Sequence, residues 1–85
     1  MNPWPTWAKT EADLEEEVSS RETAYKKLGT GSDTIAQRTI ALAELADSVD
    51  TLRRLKFRQK KLIDVKPLLQ KSLKYRAEAL ALARR

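Results

Sequence analysis

The chain of 85 residues contains no cysteine and no histidine. Disulfides, thiolate chemistry, Cys/His zinc sites and histidine acid–base catalysis are therefore outside its reach. Only two glycines and three prolines interrupt it, the balance of a helix-rich chain. No apolar run approaches the roughly 18 residues of a membrane span. The segment Met1-Asn2-Pro3-Trp4-Pro5 has no basic stretch followed by an apolar one. It is thus not expected to act as a secretory signal, and a cytoplasmic origin is the expectation.

Hydrophobic residues make up 41% and charged residues 34% of the chain, enough apolar material for a core and too much for a disordered tail. A chain this short buries only about 60–65% of its unfolded surface and has room for one small domain. The net charge of +5 conceals a split: residues 1–51 carry five basic and ten acidic side chains, whereas 52–85 carry twelve basic and two acidic. Such a dipolar chain suits docking on an acidic surface, nucleic acid included, or head-to-tail association of copies.

Pro3 and Pro5 fix φ and remove two backbone donors, so residues 1–6 are expected to form an extended arm with Trp4 and Trp7 as its apolar anchors. Those tryptophans either cover the end of a helical core or bind a partner. Thr10-Glu11-Ala12-Asp13 has the spacing of a capping box, and the acids that follow suit the positive end of a helix dipole. A first helix is predicted from about residue 7 or 10 to Leu28, with Trp7, Leu14, Val18, Tyr25 and Leu28 on one narrow face. Gly29 is its expected stop. Residues 29–34 form the loop by composition.

A second helix is predicted to open near Thr39 and to run to about Ile63. Its apolar face would comprise Leu42, Leu45, Val49, Leu52, Leu55, Leu62 and Ile63. Asp64-Val65-Lys66-Pro67 reads as a break, and a third helix occupies about 67–84 with the stripe Leu69, Leu73, Ala77 and Leu80. Thr34, Ile35, Thr39 and Ile40 are β-branched, so the segment 33–40 is expected to be extended, at most a minimal β-hairpin. The resulting fold class is mainly α: an antiparallel helical hairpin with a loop or minimal β-hairpin between its helices, plus a C-terminal helix. The predicted organisation is an arm over 1–9, a hairpin domain over 10–66 and a basic helix over 67–85.

The order of parts, an amphipathic helix ending in a Gly-rich loop, a short Ile/Thr segment, then Arg38-Thr39-Ile40 leading into Leu42, Glu44-Leu45, Val49 and Leu52, resembles the small gpW-like head-tail joining (head completion) proteins of tailed bacteriophages and prophages. The resemblance covers roughly Leu14 to Ile63. It is carried by Gly29, Ile35, Arg38, Thr39, Ile40, Glu44 and Leu45, and departs at Ala41, where the family usually has a hydroxyl residue. It implies two helices flanking a small β-hairpin and a structural role: copies bind as a ring beneath the portal and present a surface to the tail or its adaptor. The arm and the helix after Pro67 lie outside it. No catalytic residue, cofactor or metal is implied.

The residues themselves point the same way about catalysis. Without histidine or cysteine, acid–base work would fall to carboxylates, and Glu15, Glu16 and Glu17 are adjacent on a helix, pointing about 100° apart. Gly29-Thr30-Gly31-Ser32 lacks the Gly-Lys-Ser/Thr ending of a phosphate loop. The chain is therefore expected not to be an enzyme and to have no cofactor. The basic half, with Arg53, Arg54, Lys56, Arg58, Lys60 and Lys61 crowded into two turns, is either a solvated face with acidic partners or a backbone-tracking nucleic-acid binder. No helix-turn-helix, zinc module or RNA-binding aromatic motif accompanies it. A basic amphipathic last helix on an anionic membrane is the least favoured reading.

The favoured expectation is a structural assembly protein. Its partners would be portal, neck or tail proteins and further copies of itself in a ring, in a virion assembled in the host cytoplasm. The alternative is a small basic helical protein that binds nucleic acid, for example a DNA-packaging accessory. The expected partner-binding residues are Trp4, Trp7, Arg53, Arg54, Leu69, Leu73, Lys74, Arg76 and Leu80.

Overall fold

The computed structural model describes residues 9–84, which form three α-helices and one short 3₁₀ turn. The first helix, α1 (Glu11–Lys27), opens on a complete capping box. Thr10 Oγ1 accepts from the Asp13 amide at 3.1 Å, and the Thr10 amide donates to Asp13 Oδ2 at 3.2 Å. It closes at Leu28, after which Gly29 takes φ 72°, the left-handed conformation that a residue without Cβ adopts at little strain.

No strand follows among the described residues. The segment expected to be extended is instead a 3₁₀ turn (Ser32–Thr34) running directly into α2 (Ile35–Arg58), which therefore starts four residues before Thr39. The reason is tertiary. Ile35, Arg38 and Leu42 continue the helical phase of the buried face, and Ile35 packs against the cluster of Leu42, Ala79 and Leu82. That packing overrides the β-branched preference of Thr34, Ile35, Thr39 and Ile40. Arg38 is itself buried. It donates from Nη2 to the Gly31 carbonyl at 3.0 Å and from Nε to Thr34 Oγ1 at 3.1 Å, binding the turn to the helix it precedes. Thr39 caps nothing; its hydroxyl donates back to the Ile35 carbonyl at 2.8 Å.

The break between the second and third helices also lies elsewhere than expected. α2 ends at Arg58 and α3 (Leu62–Ala83) begins four residues later, so the boundary foreseen at 66/67 falls inside a helix. Two hydrogen bonds make the stop: the Lys61 amide to the Lys56 carbonyl at 2.9 Å and the Lys60 amide to the Phe57 carbonyl at 3.0 Å. This pairing is the Schellman motif, and it puts Lys60 at φ 60° in the position where glycine is usual. Pro67 is accommodated early in α3, where only the Ile63 carbonyl loses its donor. Ile63 is 90% exposed, so water can replace that bond.

A left-handed residue with a side chain is strained by about 1–2 kcal/mol. Lys60→Gly is accordingly expected to raise stability by about 1 kcal/mol, read as a shift of the urea midpoint at constant slope. An unchanged or lower midpoint would show that the Lys60 side chain makes up the strain.

α2 is the central helix. α1 and α3 pack on it along separate seams, α3 over the greater length. The first seam joins Leu14 and Val18 of α1 to Leu45, Val49 and Leu52 of α2, with Leu55, Leu68 and Tyr75 against them. The second joins Leu42 to Ala79 and Leu82, with Tyr25, Ile35 and Tyr75 alongside. Tyr75 belongs to both. Leu42, Leu45 and Val49 are wholly inaccessible, and burial of each side chain contributes about 1.5–3 kcal/mol. Ser72, also buried, lets α3 approach α2 closely and donates to the Ala46 carbonyl at 3.4 Å. The face of α3 that packs is thus Leu68, Ser72, Tyr75, Ala79 and Leu82. It is not the stripe Leu69, Leu73, Ala77 and Leu80.

Candidate docking surface

Turning α3 so that this packed face meets α2 sends a second apolar set outward. At 100° per residue, Leu62, Ile63, Leu69, Leu73 and Leu80 fall within about 120° of arc. All five are exposed: Ile63 at 90%, Leu62 at 61%, Leu80 at 59%, Leu73 at 57% and Leu69 at 40%. Ile40, at 60%, is the exposed aliphatic of α2. Where Leu80 meets α2, Ala43, Asp47, Arg76 and Ala79 complete the lining of a groove of about 290 Å³. A patch of this kind, rimmed by charged groups, marks an interaction site more often than chance exposure does.

The helix that carries the patch is held at several points. Arg76 Nη2 donates to Asp47 Oδ1 at 3.0 Å, fixing one edge of the groove. On the opposite flank Glu22 of α1 accepts from the Tyr75 hydroxyl at 2.6 Å and pairs with Lys71 Nζ at 3.0 Å. Burial pushes the Glu22 carboxyl up, but the Tyr75 and Lys71 hydrogen bonds outweigh it and leave the group below its ordinary range. Burial and the Glu22 carboxylate both push the Tyr75 phenol upward. At one end Lys56 pairs with Glu11, lies 3.4 Å from Glu15 and reaches Asp64 at 3.9 Å, tying the start of α1 to the end of α2 and the start of α3. The hydrogen bond to Glu11 holds the Lys56 ammonium above its usual range. The bonds from Lys56 and Lys61 hold the Glu11 carboxyl below its own.

These pairs show where the charge split goes. Acids of the first half take up cations of the second within one chain: Glu11 with Lys56 and Lys61, Glu22 with Lys71, Asp47 with Arg76, and Asp50 with Arg53 and Arg54. Among the described residues, Arg58, Lys60, Lys66, Lys74 and Arg84 are without a carboxylate within 4.0 Å. Glu15, Glu16 and Glu17 diverge: Glu15 faces Lys56, Glu16 is exposed, and Glu17 lies between Lys9 at 2.9 Å and Arg21 at 3.0 Å.

Of the residues singled out in the sequence, Leu69, Leu73, Lys74, Arg76 and Leu80 lie together on α3, with the leucines outward. Arg53 and Arg54 sit apart, near the end of α2, where both bind Asp50, Arg53 at 2.8 Å and Arg54 at 3.1 Å. With Thr51, Phe57 and Arg58 they line a shallow basic groove. Trp4 and Trp7 lie outside the described residues. Leu62 and Ile63 were assigned in sequence to the face of the second helix that meets the first, and the position of the turn moves them onto the exposed face of α3. The seven-residue spacing from Leu62 to Leu69, repeated from Leu73 to Leu80, is the signal that places Leu62 there; no such spacing marks Ile63.

Among the described residues no three or more carboxylates converge to hold a metal, and no helix is long and apolar enough to cross a membrane. The arrangement presents an outward apolar seam edged by Lys66, Lys74 and Arg76. Comparison of the chain with protein-family models, with curated proteins and with solved structures gives no match.

Proposed function

We propose that the protein is a non-enzymatic assembly component of the head-tail connector or joining type. It would dock by the outer face of α3 on a portal or a neighbouring neck or tail protein, as one subunit of a ring in a phage or prophage particle. One observation carries the docking role: five large aliphatic side chains of a single helix face solvent while the opposite face of that helix is fully used in the core. The connector assignment draws on the resemblance over Leu14 to Ile63. The helical hairpin agrees with it, whereas a 3₁₀ turn stands where the family has strands. A ring of this chain would use apolar contact more than charge, because the acidic and basic halves already meet within one subunit.

The test is a native mass measurement of the chain with and without a purified portal oligomer. A defined complex with several copies per portal is expected, and it should be lost in the triple variant Leu69→Gln/Leu73→Gln/Leu80→Gln. Absence of any complex with portal, neck or tail proteins would sink the connector assignment.

Nucleic-acid binding is the second reading, favoured by the groove of Arg53, Arg54, Phe57 and Arg58. Phosphate contacts made there would weaken steeply as salt rises, by about 10³–10⁵ between 50 and 200 mM for six to ten of them. Salt-insensitive binding to portal together with no binding to duplex DNA would leave the assembly reading alone.

A further inference from the structure

The outer face of α3 has a recognisable geometry and an uneven charge, and together they restrict what can cover it. Written as heptads, Leu62, Leu69 and Ala83 occupy one seam position with Arg76, and Leu73 and Leu80 occupy the other with Lys66. The seam is narrow. Its leucines lie within about 40° of arc at 100° per residue, with Gln70, Ile63 and Lys74 on one side of them and the packed face of α3 on the other. A bilayer surface asks for a broad apolar band, whereas a seam of this width accepts the knobs of one further helix.

The charges that α3 itself brings to this face have one sign, and the single carboxylate at its edge, Asp47 of α2, is taken up by Arg76 at 3.0 Å. Lys66, Lys74, Arg76 and Arg84 lie on it or flank it, and the two acids of α3 are turned away: Asp64 toward Lys56 at 3.9 Å, Glu78 into a pocket with Tyr25 and Arg38. A second copy presenting the same face would set cations against cations. Nor does the outer side of α1 supply a match, since Ala12, Asp13, Glu16, Ser19, Ser20, Thr23 and Ala24 are exposed there and none is a large apolar residue.

The geometry points to an acidic amphipathic helix of a different protein as the occupant of the α3 seam, with leucine-like residues at heptad spacing between flanking Asp and Glu. This deepens the assembly reading above and rests on it. Lys66 and Arg76 then do more than interrupt the apolar row. A cation within a seam is tolerated where the partner offers a carboxylate and disfavoured elsewhere, which fixes the register of the incoming helix.

The experiment uses the full chain and a fluorescein-labelled synthetic peptide of three heptads carrying Leu at both seam positions and Glu at the flanking ones. A second peptide has Lys in place of Glu. Fluorescence anisotropy is expected to show the acidic peptide binding at least tenfold more tightly than the basic one. The triple variant Leu69→Gln/Leu73→Gln/Leu80→Gln should lose at least tenfold in affinity with its circular dichroism unchanged. Lys66→Glu/Arg76→Glu should exchange the preference between the two peptides.

Three results would overturn the proposal: equal affinity for both peptides or for neither, self-association of the chain in sedimentation velocity that the triple variant abolishes, or binding to phosphatidylserine vesicles without binding to the acidic peptide. The connector assignment fails separately. A chain that binds the acidic peptide but no portal, neck or tail protein retains the seam and loses the assembly. One that binds portal equally well as the triple variant retains the assembly and loses the seam.

Discussion

Leu45→Ala is expected to lower the melting temperature by more than about 10 °C, the largest effect of any single substitution in the first seam. Leu45 is wholly buried among Leu14, Val18, Val49 and Leu52. Its truncation removes contacts that α1 and α2 share and leaves a cavity, a combination that costs about 2–5 kcal/mol where the surroundings cannot collapse. For 85 residues the total stability is about 4–13 kcal/mol. One buried leucine is therefore a large share of it. Leu73→Ala supplies the contrast: its side chain is 57% exposed, and a change within about 0.5 kcal/mol is expected. Thermal melts of the two variants that differed by only a degree or two would show that the seam is loosely packed.

A chain ending at Lys66 is expected to lose nearly all of its helical circular dichroism at 25 °C. Read from sequence alone, the first two helices form a self-sufficient hairpin and such a truncation keeps it. The structure argues otherwise. Leu42 of α2 is covered by Ala79 and Leu82, and the Leu14–Leu45 seam leans on Leu68 and Tyr75, all from α3. Loss of everything after Lys66 strips both clusters at once. The remainder has a single narrow seam, and below about 70–80 residues one small core rarely offsets the conformational entropy of the chain. A truncated protein that retained cooperative melting with the helix content of α1 and α2 would show that their seam is sufficient.

The two helix ends at which these expectations differ also explain what was legible in the sequence. Both ends of α1 were, because the Thr10–Asp13 box and Gly29 are signals contained within a few residues. The stop after Arg58 was not. It rests on a Schellman turn whose left-handed position holds lysine, a residue that announces nothing, while Pro67 announces a break that the helix absorbs. Everything downstream of that turn is rephased with it. Leu62 and Ile63 accordingly pass from the expected core to the exposed face, whereas spacing alone put Leu69, Leu73 and Leu80 on one stripe without deciding between core and surface. The start of α2 at Ile35 was hidden for a different reason: local β preference and helical phase disagree over 33–40, and only contact with the cluster of Leu42, Ala79 and Leu82 decides between them.

The segregation of charge along the chain reaches beyond the folded state. Glu11 is 45 residues from Lys56 in sequence, and Glu22 of α1 pairs with Lys71 of α3, so these bonds close long loops. Before any helix docks, an acidic first half and a basic second half already attract each other, which draws the denatured ensemble together along the direction that folding must take. The closure of those loops is thereby made less unfavourable than for a chain with the same composition shuffled. The benefit is largest in dilute buffer and fades as the screening length shrinks toward about 8 Å at physiological ionic strength.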